Sequence, residues 1–222
     1  MKKIEDNLIP PTISPHAFNS FLPKETMEMV SNHIGELPQD LAFEQEMTIL
    51  FSDMRGFTAL SEQYNPHKVY ETINASLALQ SKRIAEYGGS VNKFLGDGLL
   101  ACFSGEDRSK RAFHCVQQLL LDLQKLDDDE TYLPCHVGFG LNDGTVLFGL
   151  LGDHTRREFT VIGDTVNTAA RLCGIAEPFK ALMTQKFIDT LHDDEIKENY
   201  AFVERALFKG KREPIRIYAI CA

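Results

Sequence analysis

The sequence predicts one α+β domain of βαββαβ order behind a short leader, and three observations carry that prediction. Apolar segments with strand and helix periodicity alternate along the chain from about residue 46 onward. Two Asp-Gly steps, in "LGDG" and "LNDG", each stand between apolar arms, a strong short-range signal for a hairpin. Five of the nine prolines fall in the first 38 residues, which sets a leader apart from the folded part.

Residues 1–45 read as a leader or linker. "LIPPTISPH" cannot sustain a regular helix or a central strand, while "LPKETMEMVSNHI" is expected to form a short helix with Met27, Val30 and Ile34 on one face. The expected domain, residues 46–222, starts with a strand at "MTILFS". A long helix follows from Pro66 to Tyr87 with Val69, Ile73, Leu77 and Ile84 along one side, then a hairpin in "YGGSVNKFLGDGLLACF". The next helix runs from about Lys110 to Leu126, with Phe113, Val116, Leu120 and Leu123 as its apolar stripe; the acidic "LDDDE" at its end reads as a solvated loop. "CHVGFGL" and "TVLFGLLG" are expected to pair as a second hairpin about "NDG". "TVNTAARLCGIAE" reads as a helix, and "FVERALFKGK" with "PIRIYAI" as a closing hairpin. The order is that of a ferredoxin-like core: an antiparallel sheet covered on one face by helices, with added C-terminal strands.

Composition narrows the function classes. A chain of 222 residues, 43% hydrophobic and 25% charged, has enough apolar residues to bury a core and lacks the signature of disorder. The net charge of -9 argues against a nucleic-acid or anionic-membrane surface, where clustered Lys and Arg supply the affinity. A polyphosphate substrate would therefore be held locally, with metal ions. Five widely spaced cysteines form no CxxC pair, which points to a reduced, cytoplasmic setting. No apolar run approaches the roughly 20 residues of a membrane helix, and the first residues lack a signal-peptide h-region.

The candidate chemistry lies where strands meet turns. Asp53 in "ILFSDMRGFT" reads locally as a helix cap and Asp97 in "NKFLGDG" as a turn residue. The predicted sheet places the first strand beside the central hairpin, so the two carboxylates could instead converge on a hard cation such as Mg²⁺ or Mn²⁺. After Asp53 the chain passes through Gly56 into a helix whose first amides are free to seat phosphate. Lys93, on a strand that otherwise reads apolar, is either an edge-strand guard or a functional cation. Asn167 and Arg171 in "TVNTAARL" share a helix face, as solvent-facing residues or as an amide and a cation fork suited to phosphate oxygens.

Taken together, "FSDMRGFT", "NKFLGDG", "GFGLNDG", "FTVIGDTVNTAARL" and "KGKREPIRIY", in that order from about Met47 to Ile220, resemble the catalytic domain of class III nucleotidyl cyclases. The resemblance implies conversion of a nucleoside triphosphate to its 3',5'-cyclic monophosphate with release of pyrophosphate, at two sites shared across a head-to-tail homodimer. It implies that Asp53 and Asp97, with the Met54 carbonyl, bind two Mg²⁺ or Mn²⁺ ions per site, and that amides near Phe57 and Thr58 seat phosphates. From the partner chain, Lys93 and Thr160 would read the purine, Asn167 would hold the ribose, Arg171 would meet charge on the α-phosphate and Lys209 would contact the triphosphate. Lys93 with Thr160 suits the adenine edge, and Thr160 matches the subclass called IIIb, so ATP is the expected substrate.

One position departs from the pattern. Many relatives carry a phosphate-binding arginine just before "GFGLNDG"; the nearby positions in this chain are Gly138 and, two earlier, His136, so its role falls to Arg156, Arg157 or Lys209 or is absent. Guanylate cyclase activity and a non-catalytic nucleotide-binding or dimerisation module are the competing readings. The sequence does not indicate a regulatory input, and it fits either a stand-alone cyclase or the catalytic piece of a longer sensor or membrane protein.

Overall fold

The computed structural model describes residues 41–191 and 198–220, so the helix expected within the leader lies outside the described residues. Eight strands form one sheet: β1 (Ala42–Met54), β2 (Ser90–Leu95), β3 (Gly98–Ser104), β4 (Val137–Gly152), β5 (Arg157–Ile162), β6 (Ala181–Thr184), β7 (Tyr200–Ala206) and β8 (Ile215–Ile220). The strand order is β2-β3-β1-β4-β6-β8-β7, with β5 also on β4. Pairing is antiparallel except between β4 and β6. Among the described residues five helices connect the strands: α1 (Phe57–Gln63), α2 (Pro66–Glu86), α3 (Arg108–Asp127), α4 (Asp164–Ile175) and α5 (Gln185–Ile188). This is the predicted α+β class, with β7 and β8 as the added C-terminal strands.

The predicted elements form for identifiable reasons. β1 is buried on both sides from Met47 to Leu50, the mark of a central strand, and it begins at Ala42, four residues before the expected start of the domain. Asn65 starts α2 by accepting a hydrogen bond from the His67 amide at 2.9 Å, with Pro66 in the first turn. The stripe of α2 is more polar than predicted. Its buried face includes Thr72, Ser76 and Gln80, and Ile73 and Leu77 flank it. Thr72 Oγ1 accepts from the Leu133 amide at 3.0 Å, and Gln80 donates to Ser76 at 3.1 Å. α3 buries Phe113, Val116, Leu120 and Leu123 as predicted. The acidic run after it is more than a solvated loop, because Asp127 accepts from the Cys135 amide at 2.6 Å.

The expected hairpin at "NDG" is absent, and β4 runs straight through it. β1 pairs with β4 in unbroken register from Ala42 opposite Gly149 to Met54 opposite Val137. The side chains of Asn142 and Asp143 are committed to distant partners, so they do not close a local turn. Asp143 is buried, accepting from Thr48 at 2.6 Å and Ser109 at 3.0 Å and forming a two-point ion pair with Arg108 at 2.9 and 3.0 Å. Asn142 donates to the Thr165 carbonyl at 3.1 Å and accepts from Thr184 at 2.7 Å. The true turn lies ten residues on at Asp153–Arg156, where Asp153 accepts from the Thr155 and Arg156 amides and β5 folds back on β4.

Both faces of the sheet are covered, which extends the expectation of helices on one face. The main core joins Leu50, Leu99, Phe103, Phe139, Ala181 and Met183 of the strands to α2 and α3. Leu182 and Ile217 point the other way, onto Leu172 and Ala176 of α4. α4 lies close on β4 because residue 140 is glycine: a Cβ there would sit 2.2 Å from the Cys173 nitrogen and 2.3 Å from the Ala169 oxygen.

Because Asp143 ties β4 to β1 and α3, Asp143→Ala removes the buried acceptor shared by Thr48 and Ser109 and leaves Arg108 with Glu46 alone. It is expected to lower unfolding stability by about 3 kcal/mol, read as a shift of the urea midpoint without loss of cooperativity.

Candidate active site

The two predicted carboxylates come together. Asp53 stands near the end of β1 and Asp97 in the β2–β3 turn. Lys93 and Asp97 are not on one strand, because β2 ends at Leu95 and leaves Asp97 in the turn. Gly98 permits the approach: a Cβ at that position would lie 2.1 Å from the Ser52 carbonyl oxygen and 3.0 Å from the Asp53 Cα. The Met54 amide donates to Asp97 Oδ2 at 3.3 Å, while the Met54 side chain is buried in the main core. Burial pushes the Asp97 carboxyl above the usual range; its own amide partly offsets this, and the Asp53 charge adds to the rise.

A cation that the sequence reading passed over balances this pair. Arg55 forms an ion pair with Asp53 at 3.3 Å and donates to the Cys173 carbonyl at 2.8 Å and the Gly174 carbonyl at 3.5 Å, at the C-terminal end of α4. It therefore links the carboxylate strand to the helix of Asn167 and Arg171, where the helix dipole favours a positive charge. Arg55 also occupies the space beside Gly138. A Cβ on Gly138 would meet Arg55 Nε at 3.0 Å and the Ala176 carbonyl oxygen at 3.1 Å, so the space above Gly138 is taken. Arg156 and Arg157 lie instead at the exposed β4–β5 tip.

After the carboxylates, Gly56 caps α1 at φ 74° without a side-chain bond. The Leu60 amide bonds back to the Gly56 carbonyl at 3.2 Å, and the amides of Phe57 and Thr58 before it have no intrahelical partner. On α4, Asn167 is exposed and Arg171 half-buried, and among the described residues neither side chain has a hydrogen bond or ion pair. Lys209 is exposed in the β7–β8 turn. Its neighbour Lys211 pairs with Asp164 at the start of α4. Beside that pair opens a cavity of about 310 Å³ lined in part by Thr165, Thr184, Lys186 and Arg216; none of the predicted site residues lines it.

A second cluster forms at the other end of β5. Lys93 Nζ donates to Thr160 Oγ1 at 2.9 Å and forms an ion pair with Glu158, which the sequence reading did not single out. Asn92 adds a contact to the Phe159 carbonyl at 3.4 Å, and Thr160 is buried. β2 and β5 are remote in sheet order, so this meeting of residues 93 and 160 is a tertiary product of the β4–β5 arm.

The donor chemistry at Asp53 and Asp97 fits a hard divalent cation. Two carboxylates face each other without Cys or His, and among the described residues no group of three His, Cys, Asp or Glu side chains forms a closed metal cage. Mg²⁺ typically takes one or two carboxylates and completes its shell with water and substrate phosphate. Burial lifts the thiols of Cys115 and Cys173 to about 12, which removes them as thiolate ligands. Among the described residues no helix is long and apolar enough to cross a membrane.

The paired carboxylates thus stand at the end of the central strand β1 and in the β2–β3 turn, and Arg55 ties Asp53 to α4. Residues 41–222 match the adenylate and guanylate cyclase catalytic domain family, and the chain belongs to that family. It is 32% identical over 216 residues to an adenylate cyclase of Anabaena cylindrica, covering 93% of this chain and 43% of that protein. Over 212 residues it is 28% identical to a terminal-differentiation-specific adenylate cyclase of Dictyostelium discoideum, covering 93% of this chain but only 10% of that protein. The chain thus spans less than half the length of either relative. Among solved structures it is similar to the adenylyl cyclase CyaB from P. aeruginosa, with a TM-score of 0.73 at 26% identity, covering 82% of this chain and 96% of that one. The guanylyl cyclase Cya2 gives the same TM-score and identity, covering 81% of this chain and 93% of that one.

The raised Asp97 carboxyl makes a stability prediction. A folded state that holds a proton more tightly than the unfolded chain loses stability as pH rises through that group's range. At neutral pH the ionised Asp97 is therefore a cost that Asp97→Asn removes while keeping an acceptor for the Met54 amide. The metal-free variant is expected to melt above the wild type at neutral pH, with the gain vanishing in acid. Added Mn²⁺ should stabilise the wild type and leave the variant unmoved; thermal scans at several pH values check both.

Proposed function

We propose that this domain is an adenylate cyclase that converts ATP to 3',5'-cyclic AMP and pyrophosphate at two sites shared across a head-to-tail homodimer. The observation that carries the proposal is the pair of clusters in one chain: a carboxylate pair at Asp53 and Asp97, and a donor pair at Lys93 and Thr160 joined at 2.9 Å. Asn167 and Arg171, without side-chain partners among the described residues, support a site that a second chain completes.

In this reading Asp53, Asp97 and the Met54 carbonyl would hold two Mg²⁺ or Mn²⁺ ions. Such ions, when bound, supply charge neutralisation of the triphosphate and a lowered pKa for the 3'-hydroxyl. The chain's own groups do the rest. The amides of Phe57 and Thr58 seat phosphate oxygens. From the partner subunit, Lys93 donates to adenine N1, Thr160 meets the 6-amino edge, Asn167 orients the ribose, and Lys209 contacts the triphosphate. The guanidinium of Arg171 faces the charge that builds on the α-phosphate, and removing one such pre-positioned stabiliser typically costs roughly a hundred- to a thousandfold in rate.

Overall likeness does not choose between ATP and GTP, since an adenylyl and a guanylyl cyclase stand equally near. The choice of ATP rests on Lys93 and Thr160. Side-by-side assays with each nucleotide and each metal are expected to give cyclic AMP as the main product. Cyclic GMP formed in excess would replace this reading with the guanylate one, and no product from either nucleotide would favour a non-catalytic nucleotide-binding module.

The shared site has its own check. Chains carrying Asp97→Ala and chains carrying Arg171→Ala are each expected to be nearly inactive. Mixed, they should recover activity through heterodimers with one intact site, and specific activity of the wild type should rise with protein concentration. Mixing that restores nothing would rule out catalytic groups drawn from two chains.

A further inference from the structure

Three side chains, not two, make up the cluster at the base-reading position. Lys93 sits on β2 just past a register shift between Val91 and Lys93, and its side chain is about a quarter exposed. Its ammonium reaches across to β5, where Glu158 and Thr160 lie two residues apart and so on one side of that strand. Thr160 accepts from Nζ, and Glu158 forms the ion pair. A lysine ammonium carries three rotatable donors on a flexible four-carbon stem, so left alone it aims poorly. Here two of the donors are committed, which leaves one, in one direction.

We propose that Glu158 is a positioning residue that fixes the aim of Lys93 and thereby sets the preference for adenine over guanine. This rests on the cyclase reading given above. The two purines differ where Lys93 would meet them. Adenine offers an acceptor at N1 beside a 6-amino donor, whereas guanine offers an N1–H donor beside an O6 acceptor. A lysine held at the N1 position meets an acceptor on adenine and a donor on guanine. A lysine free to swing serves guanine as well, by moving to O6. The ion pair therefore acts on selectivity by denying the second arrangement, a penalty placed on the wrong base. It also returns the local charge of the pocket to near zero, so Lys93 works as a directed donor and not as a general attractor for triphosphate.

The test reads the ATP-to-GTP ratio in two independent ways on the wild type, Glu158→Ala, Glu158→Gln and Glu158→Asp. Steady-state kinetics give kcat and KM for each nucleotide. Displacement of a fluorescent ATP analogue gives equilibrium affinities and needs no turnover. Glu158→Ala and Glu158→Gln are expected to lower the ATP-to-GTP ratio about fivefold, the worth of one net hydrogen bond. The change should appear in KM and in affinity, with kcat for ATP within about twofold, the pattern of lost uniform binding. Glu158→Asp, which keeps the charge, should stay closer to the wild type than either. An unchanged ratio in Glu158→Ala overturns the proposal, as does a loss that falls equally on both nucleotides or only on kcat. A wild type that binds ATP but forms no cyclic product refutes the cyclase reading alone, and the affinity ratio still decides the role of Glu158. A wild type that binds neither nucleotide refutes both.

Discussion

The pairing of β1 with β4 is the interaction on which the rest of the molecule depends. It runs without a break from Ala42 opposite Gly149 to Met54 opposite Val137, and each end of it presents one cluster of polar side chains. At one end, β1 delivers Asp53, and glycines in β4 let Arg55 and α4 settle against the sheet. At the other, β4 continues beyond its pairing with β1 and turns back as β5, which carries Glu158 and Thr160 to Lys93. A slip of one residue in that register would flip Asp53 to the other face and shift Thr160 relative to β2. The buried Asp143 network stands near the middle of the pair and opposes such a slip, because its partners Thr48, Ser109 and Arg108 come from β1 and α3 together.

Charge is balanced locally at both clusters. Asp53 and Asp97 would repel across the β1–β3 junction, and the Arg55 guanidinium offsets one of them while its Nη groups also donate to the Cys173 and Gly174 carbonyls of α4. At the other cluster Glu158 offsets Lys93. For a chain with a net charge of -9, this local pairing matters more than the overall field, which would repel an anionic nucleotide.

Much of this was legible in the sequence where local and tertiary signals agree. Asp-Gly in "LGDG" closes the β2–β3 hairpin, Asn65 and Pro66 start α2, and the apolar stripe of α3 faces the core. The reading failed at "NDG" because turn chemistry is a local preference, and the buried bonds to Thr48, Ser109, Thr165 and Thr184 outweigh it. β6 and α5 passed unnoticed since four residues each carry too little periodicity to register. The convergence of Asp53 with Asp97 could be inferred from strand adjacency alone. The meeting of Lys93 with Thr160 could not, because β2 and β5 are not neighbours in the sheet, and nothing local in "RREFT" marks Glu158 as a partner for Lys93.

Gly138 and Arg55 illustrate how the residue at one position constrains its neighbour in space. In space, the volume that a side chain at 138 would enter already holds Arg55 Nε and the end of α4. A larger residue at 138 would therefore press on the Arg55 side chain and on Ala176. The cation beside Asp53 comes from Arg55, just past the end of β1, and it is anchored to the helix that carries Asn167 and Arg171. Any change at residue 138 would act through Arg55 on the carboxylate and on that helix at once.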